Sequence, residues 1–270
     1  MTPADAHRAV ALTIAGSDSS GGAGIVADLK TFEALGVWGT AAVTAVTAQN
    51  TRGVHASLVL PPWLVRAQIE AIASDVRVEA AKTGMLGSAE VVRAVADGVR
   101  TAGITRLVVD PIMVAKHGDR LLDADALAPL REELLPLAMV ITPNLIEATA
   151  LTGIEVLDRG GMVAAATELH QLGARVVALT GGHLPDRERS PDLIWTGDGP
   201  HWLEAGRVDA VHTHGTGCVL SAAITAELAL GCDPVEACIR GKRFVTGAIQ
   251  AGFRLGQGVG PVDPGWRTPS

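Results

Sequence analysis

The stretch VALTIAGSDSSGGAGIVADLKTFEALG, residues 10–36, decides the fold, because it reads as a strand, a glycine-rich loop and a helix in succession. The apolar run at 10–15 predicts a buried strand, and residues 25–35 predict a helix that ends at Gly36. Further runs typical of strands lie at residues 40–47, 106–110, 137–142 and 175–180. Runs typical of helices lie at residues 64–74, 89–101, 144–151, 163–172, 217–230 and 235–251. This alternation predicts βαβ units, a mostly parallel sheet and right-handed crossovers.

A hairpin is indicated near residue 200, where the apolar runs 193–195 and 201–203 flank the turn sequence at 196–200. This hairpin predicts a small antiparallel edge on the sheet. The chain shows neither an internal repeat nor a low-complexity linker. We therefore predict a single domain over residues 1–270.

Composition narrows the class of protein and its surroundings. The 270 residues are 48% hydrophobic, and the absence of Tyr suits helices packed on a parallel sheet. A formal net charge of −7 argues against a nucleic-acid partner. No apolar run reaches the roughly 20 residues that span a membrane, so no membrane partner is expected. Three cysteines without a C-x-x-C motif, and an N-terminus without a signal-peptide pattern, predict a cytoplasmic location.

A glycine-punctuated turn from Gly215 to Cys218 leads into a run typical of a helix. Backbone N–H groups at a helix start lack intrahelical partners and carry partial positive charge, so they suit a phosphate or a developing oxyanion. The same field predicts a pKa for the Cys218 thiol below its free value of about 8.5, which makes the thiolate a candidate base. The alternative is a plain glycine turn with a buried cysteine.

Other polar residues follow the predicted strands, and ligands of open α/β sheets bind at the carboxyl ends of the strands. The glycine-rich loop at 16–24 lets a ligand approach the backbone, although it matches neither a Walker A loop nor a good G-x-G-x-x-G fingerprint. Asp28 is a candidate for binding a polar ligand edge or, alternatively, complements the helix dipole. The carboxamide of Gln49 suits the ring nitrogen and exocyclic amine of an aminopyrimidine; the alternative is a polar turn.

Lys82 and Met85 belong to the next such segment, residues 82–87. Lys82 is either a surface charge or part of a site. Met85 is either a soft apolar wall for a flat ring or a core residue.

Two further acidic residues stand at strand or helix ends. Asp110 ends an apolar strand, where an unpaired charge is costly, so we expect a partner such as Mg²⁺ or water. Asn144 and Glu147 predict a helix N-cap with a capping box. The functional alternative is that Glu147 organises Mg²⁺ and its waters near phosphates.

Taken together, these segments resemble the hydroxymethylpyrimidine/phosphomethylpyrimidine kinases of thiamine biosynthesis, members of the ribokinase-like superfamily. The matching pieces follow the family's order between residue 11 and about residue 225: LTIAGSDSSGGAGIVADLKTF, TAVTAQNTRGV, KTGML, VVDPIMVAKHGD, ITPNLIEA, TGGHL and THGTGCVLSAAI. The resemblance implies a three-layer α/β/α ribokinase-like fold with a mostly parallel central sheet and a small antiparallel edge. It also implies transfer of the ATP γ-phosphate to a hydroxymethyl group, followed by a second phosphorylation to the diphosphate.

The resemblance also assigns roles to individual positions. Those expected against the pyrimidine are Gly16, Asp28, Gln49, Met85 and Ile112. Those expected near the phosphates of ATP are Asn144, Thr180, Gly182 and Lys116, with Mg²⁺ held through Asp110 and Glu147. The anion hole would be formed by Gly215, Thr216, Gly217 and Cys218, with Cys218 where many ribokinase relatives carry an aspartate base. A homodimer is expected as well.

The chain departs from the family pattern at Thr180, where the resembling sequences usually carry a lysine. A lysine there would contact ATP phosphates, whereas threonine keeps a hydroxyl and loses the charge. Lys116, His183 or Arg187 are candidates to compensate. A second departure is Asp263, which stands near the position of a usual histidine.

Three other functions compete with this interpretation. A pyridoxine or pyridoxal kinase of the same superfamily would also take a flat heteroaromatic hydroxymethyl compound. A pyrimidine-binding protein with impaired catalysis is suggested by Thr180. A nicotinamide-dependent oxidoreductase is disfavoured by the weak glycine fingerprint.

Overall fold

The computed structural model describes residues 8–114, 118, 121–186 and 188–267. Its strands are β1 Val10–Ala15, β2 Trp38–Val43, β3 Ala45–Asn50, β4 Gly53–Val59, β5 Ala80–Thr83, β6 Leu107–Val109, β7 Ala138–Ile141, β8 Val176–Leu179, β9 Asp192–Trp195 and β10 Pro200–Leu203. Its helices are α1 Gly24–Ala34, α2 Pro62–Ala73, α3 Ala89–Thr101, α4 Leu127–Pro129, α5 Leu145–Thr152, α6 Arg159–Gln171, α7 Thr216–Ala229 and α8 Pro234–Gln250. Irregular helical turns flank α4, at Ala124–Ala126, Leu130–Leu134 and Leu135–Leu137.

Eight strands form one central sheet in the order β10-β9-β8-β7-β6-β5-β1-β2. Neighbours from β8 to β2 are parallel, whereas β9 and β10 pair antiparallel at one edge. The predicted mostly parallel sheet with an antiparallel edge hairpin is therefore confirmed. The parallel strands all end on the same side, so the loops that follow them meet at one rim.

Helices cover both faces of the sheet and produce three layers. Side chains alternate along each strand, so Leu107 and Val109 pack in one core with α2, α3, α5 and α6. Val108, between them, packs in the opposite core with α1, α7 and α8. Strands buried on both faces explain why their sequences are continuously apolar. The predicted three-layer α/β/α architecture is confirmed.

The predicted strand at 40–47 proves to be two strands, because the chain leaves the main sheet at Thr44. The Thr44 N–H donates to the carbonyl oxygen of Ala15 at 2.9 Å, and its hydroxyl donates to the carbonyl oxygen of Met85 at 2.6 Å. Beyond this point β3 pairs antiparallel with β4 as a separate two-stranded sheet. Neither β4 nor β5 was predicted from the sequence.

Other predicted elements agree closely with the structure. Strand β1 and helix α3 have the expected bounds, and α7 and α8 each begin one residue earlier than predicted. Among the described helices, none has the length and apolar character needed to cross a bilayer. The single domain over 1–270 stays a prediction, since residues 1–7 and 268–270 lie outside the described residues.

Candidate active site

Three of the predicted pyrimidine contacts converge at the ends of β1, β5 and β6. A Cβ on Gly16 would lie 3.0 Å from the sulfur of Met85. A Cβ on Gly84, next to Met85, would lie 3.8 Å from Cδ1 of Ile112. Met85 and Ile112 are half-buried, so part of each side chain remains accessible. These residues form a small, mainly apolar wall that a flat ring can contact.

Asp28 is the charged member of the predicted pyrimidine contacts. Its side chain has no exposed surface, and Oδ2 accepts hydrogen bonds from the Thr13 hydroxyl at 2.6 Å and the Lys82 ammonium at 2.8 Å. Lys82 is equally buried, so it is not a surface charge. Oδ1 of Asp28 is buried and has no hydrogen-bond partner among the described residues, so the expected contact of Asp28 with substrate stays a prediction.

Lys82 connects this pair to the rest of the site. Burial alone would lower the pKa of Lys82, but the negative charge of Asp28, with smaller effects of Cys218 and Asp110, raises it. The ammonium therefore stays charged at neutral pH. The sequence left open whether Lys82 is a surface charge or part of a site. The structure shows that its side chain is fully buried next to Asp28.

The glycine-rich loop packs against the turn at residues 215–218, the predicted anion-binding turn. Gly215 has φ of 81°, a left-handed conformation that favours glycine, and a Cβ there would collide with the carbonyl oxygen of Gly22. A Cβ on Gly24 would likewise collide with the carbonyl oxygen of Gly16. The two loops can approach this closely only because their backbones carry no side chain at the contacts.

Helix α7 starts at this turn without a side-chain cap. Gly215 occupies its N-cap position and offers no hydrogen-bonding side chain. Helices α1 and α2 also lack a side-chain cap, whereas Ser88, Asn144, Asp158 and Asp233 cap α3, α5, α6 and α8. The Thr216 N–H donates to the Thr213 carbonyl oxygen at 3.4 Å, and no side chain caps the N–H groups that follow it, so the N-terminus of α7 has the character that an anion site requires.

The predicted low pKa of the Cys218 thiol is wrong. Burial raises the pKa of Cys218 to about 12, and the carboxylates of Asp28 and Asp110 add to the rise. The Lys82 charge and the Gly24 N–H, which donates to the sulfur, oppose this effect without overcoming it. The sequence argument considered the helix N-terminus alone, whereas the thiol is only 7% exposed. Cys218 is therefore a neutral thiol near pH 7.

Asp110 lies beside the N-terminal turns of α7. It is 3% exposed, and its Oδ2 accepts a hydrogen bond from the Ser221 hydroxyl of α7 at 2.8 Å. A Cβ on Gly217 would lie 4.0 Å from the same oxygen. Burial raises the pKa of Asp110 to about 6, although the Lys82 charge lowers it. The carboxylate is therefore buried against the first two turns of α7.

Glu147 is the second acidic group here, and it forms the predicted capping box. Asn144 Oδ1 accepts from the N–H groups of Ile146 and Glu147, while Glu147 Oε2 accepts from the Asn144 N–H at 2.9 Å. Burial, and then the charge of Asp110, raises the pKa of Glu147 to about 8. The structural role is confirmed, and the electrostatic effect of Asp110 shows that the two carboxylates are neighbours.

This pair fits a divalent cation that shares its coordination with phosphates and water. Neither Asp110 nor Glu147 forms an ion pair with a lysine or arginine among the described residues. Within the same residues, no cluster of three or more His, Cys, Asp or Glu side chains could hold a metal unaided. Magnesium commonly takes one or two carboxylates and completes its shell with water and phosphate oxygens.

Thr180 lies next to Asn144, as the sequence predicted for the phosphate side of the site. The two residues pair as an isolated parallel bridge, and the Thr180 N–H donates to the Pro143 carbonyl oxygen at 3.0 Å. Lys116 and Arg187 fall outside the described residues, and His183 is exposed. Their proposed compensation for the missing lysine therefore stays a prediction.

Sequence reasoning missed two cations in this region. Lys242 of α8 lines the same small cavity as Thr180 and lies 2.7 Å from Asp192, whose other oxygen accepts the Gly181 N–H. Arg207 donates to the carbonyl oxygen of Gly182 at 2.8 Å and fixes the loop after β8. Neither cation stands in a recognisable motif, so only the folded structure reveals its place.

Asp18 and His214 were also missed, although both lie inside glycine-rich segments that were singled out. Their side chains are 2.7 Å apart and buried. Gln49 lies beside them, with its side-chain nitrogen 3.5 Å from His214 Nε2. The sequence motif indicated a role for the glycines of these loops. It did not indicate the pairing of Asp18 with His214, which forms only in the folded chain.

Comparison with known proteins agrees with this geometry. A family model described as phosphomethylpyrimidine kinase matches residues 18–263. The chain is 52% identical over 257 residues to the hydroxymethylpyrimidine/phosphomethylpyrimidine kinase of Rhizobium meliloti, covering 94% of this chain and 96% of that protein. It is 48% identical over 257 residues to the thiamine biosynthesis bifunctional protein ThiED of Geobacter sulfurreducens, covering 95% of this chain and 52% of that protein.

A solved structure shows the same fold. The ADP complex of Bacillus subtilis pyridoxal kinase superposes with a TM-score of 0.88 at 41% identity, covering 95% of this chain and 97% of that one. Sequence and structure therefore agree on a vitamin-kinase fold. On the family model and the identity to its relatives, the chain belongs to the phosphomethylpyrimidine kinase family.

Proposed function

We propose that this protein transfers the γ-phosphate of ATP to the hydroxymethyl group of 4-amino-5-hydroxymethyl-2-methylpyrimidine, and then phosphorylates the monophosphate to the diphosphate for thiamine diphosphate synthesis. One observation carries the proposal: the uncapped N-terminus of α7 lies beside the buried carboxylate of Asp110. Phosphoryl transfer depends on positioning and charge stabilisation, and this arrangement can supply both. The names of the curated relatives support the substrate.

The pyrimidine ring is assigned to the wall formed by Gly16, Met85 and Ile112. Its amine and ring nitrogen are assigned to the half-buried carboxamide of Gln49, which offers one donor and one acceptor. This arrangement points the hydroxymethyl oxygen of the substrate toward the anion-binding turn. Asp28 keeps its place among the proposed pyrimidine contacts, with Oδ2 held by the Lys82 ammonium at 2.8 Å and Oδ1 without a partner among the described residues.

The phosphates of ATP are assigned to the rim between the ends of β7 and β8 and the turn at 215–218. Backbone N–H groups of Gly215, Thr216, Gly217 and Cys218 stabilise the transferring phosphoryl group as its charge spreads. Asn144, Thr180 and Gly182 border the remaining phosphates on the other side. Lys116 keeps its predicted phosphate role as a proposal that rests on sequence alone.

Asp110 and Glu147 are the residues that would hold Mg²⁺. When bound, the cation neutralises phosphate charge and orients the transferred group. The two carboxylates must be ionised to hold it, and the raised pKa values of both groups show how strongly the buried site favours protons in its absence. The Ser221 hydroxyl keeps Asp110 Oδ2 in place.

Cys218 contributes its backbone N–H rather than a thiolate in this proposal. A thiol with a pKa of about 12 is almost wholly protonated at neutral pH. A loose transition state needs little help from a base, so the hydroxyl proton can pass late in the reaction to an oxygen of the transferred phosphoryl group or to water. The side chain of Cys218 then serves to close the turn against Gly24.

A coupled assay with ATP that resolves mono- from diphosphate product tests the proposal. We expect the aminopyrimidine alcohol to be converted first to the monophosphate and then to the diphosphate. Intact substrate after prolonged incubation with Mg·ATP, in folded protein, would contradict the proposed reaction. Accumulation of the monophosphate alone would remove the second step.

A pyridoxal kinase activity is the second candidate, because the protein superposes closely on a pyridoxal kinase. Both substrates are flat heteroaromatic rings with a hydroxymethyl group, so the apolar wall does not separate them. The carboxamide of Gln49 is expected to distinguish the two substrates, because its donor and acceptor match the edge of an aminopyrimidine. A higher kcat/KM for pyridoxal or pyridoxine than for the aminopyrimidine would favour this alternative.

A pyrimidine-binding protein with impaired catalysis is the third candidate, and Thr180 is the reason to consider it. Lys242 places a positive charge in the wall of the cavity that Thr180 also lines. That charge is held by Asp192 at 2.7 Å, so it does not replace a free lysine outright. Calorimetric binding of the pyrimidine without ATP turnover would favour this alternative.

A homodimer and a cytoplasmic location complete the proposal. The β3–β4 hairpin projects from the main sheet with Val46 and Leu58 exposed by 50% and 67%, which suits an apolar contact with a second copy. Cys218, Cys232 and Cys238 are free thiols, as in a reducing compartment. Sedimentation analysis of the wild type and of Leu58→Lys tests the dimer.

A further inference from the structure

Three segments that are far apart in sequence meet at His214. Its Nε2 lies 2.7 Å from Asp18 Oδ2 in the glycine-rich loop and 3.5 Å from the side-chain nitrogen of Gln49 on β3. His214 also immediately precedes the anion-binding turn. The imidazole is buried, so its hydrogen bonds are made with these protein groups rather than with bulk water.

The surroundings of Asp18 decide which nitrogen of His214 carries a proton. Asp18 Oδ1 accepts the Ser20 N–H at 2.8 Å, and Oδ2 accepts the Ala23 N–H at 2.9 Å. Burial alone would raise the pKa of Asp18, but hydrogen bonds from His214 and Ser20 lower it. The carboxylate is therefore ionised and only accepts. His214 Nε2 must be the donor in the 2.7 Å contact.

A protonated Nε2 also favours one orientation of the Gln49 amide. Two N–H donors facing each other at 3.5 Å form no hydrogen bond, whereas the Gln49 oxygen in that position would accept a weaker share of the Nε2 hydrogen, whose main acceptor is Asp18 at 2.7 Å. The other end of the Gln49 amide lies 3.4 Å from Thr47 Oγ1. Exchanging the oxygen and the nitrogen of the amide therefore places its NH₂ group next to Thr47 Oγ1. The Thr47 hydroxyl already donates to the Ser17 carbonyl oxygen at 2.8 Å, so its oxygen is free to accept.

We propose that the Asp18–His214 pair holds the Gln49 amide in this one orientation and so makes the site select an aminopyrimidine over the matching oxopyrimidine. The inference rests on the proposed function, in which Gln49 reads the ring edge. Asp18 and His214 are positioning residues, because they act through Gln49 and not on the substrate.

The chemistry of the two rings explains the selection. An aminopyrimidine offers a ring nitrogen that accepts and an exocyclic amine that donates. The oxopyrimidine reverses this order, with a ring N–H that donates and a carbonyl that accepts. A freely rotating glutamine matches either edge by turning over, whereas a fixed glutamine leaves the wrong edge with two unsatisfied contacts.

The test compares kcat/KM for the aminopyrimidine alcohol with that for the oxopyrimidine in which a carbonyl oxygen replaces the amine. We expect the wild type to prefer the aminopyrimidine and His214→Phe, which keeps a ring but loses the N–H, to reduce that preference about tenfold. In a Gln49→Leu background the same His214→Phe change should leave the preference unaltered. His212→Phe is the matched control, because His212 accepts the Gly260 N–H and has no contact with Gln49.

Each other outcome has a distinct meaning. Unchanged preference in folded His214→Phe, with Gln49→Leu still reducing it, overturns the inference and leaves the proposed function standing. An equal loss with and without Gln49 shows a general structural effect and also overturns it. No turnover of the aminopyrimidine by the wild type removes the proposed function together with the inference. If His214→Phe fails to fold, Asp18→Asn replaces it; an Asp18→Asn protein with the wild-type preference overturns the inference.

Discussion

Two pairs of buried charged groups lie under the site, and only one of them is balanced within the described part of the chain. Asp28 and Lys82 are fully buried, 2.8 Å apart, and carry opposite charge. Asp110 and Glu147 are 3% and 8% exposed, are both acidic, and form no ion pair with a described lysine or arginine. Burial is the main reason that the pKa of each group is raised, and the charge of Asp110 adds to the rise at Glu147.

This difference distinguishes a charged pair that stabilises the fold from an acidic pair that is proposed to bind a ligand. A buried carboxylate with a counter-charge in the same chain needs no cation from outside, so the pair of Asp28 and Lys82 is expected to contribute to stability. Two neighbouring carboxylates without such a partner gain from a cation supplied from outside. The proposed cation site therefore rests on the pair of Asp110 and Glu147, and variants of each pair test the comparison.

Lys82→Met should give the largest effect, because it leaves Asp28 buried without its counter-charge. We expect the free energy of unfolding to fall by about 3–5 kcal/mol, measured by urea denaturation. The double variant Asp28→Leu, Lys82→Met removes both charges and should recover most of that loss. A single variant within about 1 kcal/mol of the wild type would show that the pair does not matter to stability.

Asp110→Asn should lower kcat/KM by at least about 100-fold while the protein stays folded, because a ligand of the cation is lost. The concentration of Mg²⁺ needed for half-maximal rate should rise in the same variant. Asp97→Asn, at an exposed carboxylate on α3, is the control and should behave as the wild type. Equal Mg²⁺ dependence in the two variants would argue against the assignment.

Thermal stability without divalent cations should fall as pH rises from about 4 to 8. The pKa values of Asp110 and Glu147 are raised to about 6 and about 8, so the folded protein binds more protons than the unfolded chain in that interval. Stability then decreases with pH. Scanning fluorimetry between pH 5.5 and pH 8.5 measures this slope. Glu147→Gln should flatten it, and an unchanged slope in that variant would contradict the electrostatic account.

Cys218→Ala should give the smallest effect, a kcat within about tenfold of the wild type, because a neutral thiol is not the base. Cys238→Ala is the matched control. Burial raises the pKa of Cys238 to about 12 as well, and that thiol lies in the core between α7 and α8. A loss in Cys218→Ala that exceeds the control by 100-fold or more would restore the thiolate base.

The fold was largely predictable because the apolar runs are continuous and glycines mark where they end. Strand β1 and helix α3 were predicted to the residue. The hairpin β3–β4 was not, because residues 40–47 read as one β-branched run and the break at Thr44 depends on hydrogen bonds to Ala15 and Met85. Strand β5 is four residues long and contains Lys82, so its sequence is not typical of a buried strand. The lysine can be buried there because it forms an ion pair with Asp28, and the sequence alone does not reveal that pair.

The segments that form the candidate site were predictable from the sequence, whereas the protonation states and partners of its side chains were less so. Gly16, Met85, Ile112 and the turn at 215–218 come together as the strand ends required. The state of Cys218 and the pairing of Asp28 with Lys82 depend on burial, which a local sequence window does not contain. For the same reason His214 and Lys242 escaped notice, since their partners Asp18 and Asp192 are brought near only by the folded chain.

A calorimetric titration of Mg²⁺ in the presence of ADP at pH 7 tests the central claim most directly. Run in buffers of different ionisation enthalpy, it reports both the affinity and the protons released. We predict that the wild type binds Mg²⁺ with release of protons from the raised groups, and that Asp110→Asn loses at least about tenfold in affinity. Wild-type affinity in Asp110→Asn, with no proton release in either protein, would contradict a cation site at Asp110 and Glu147.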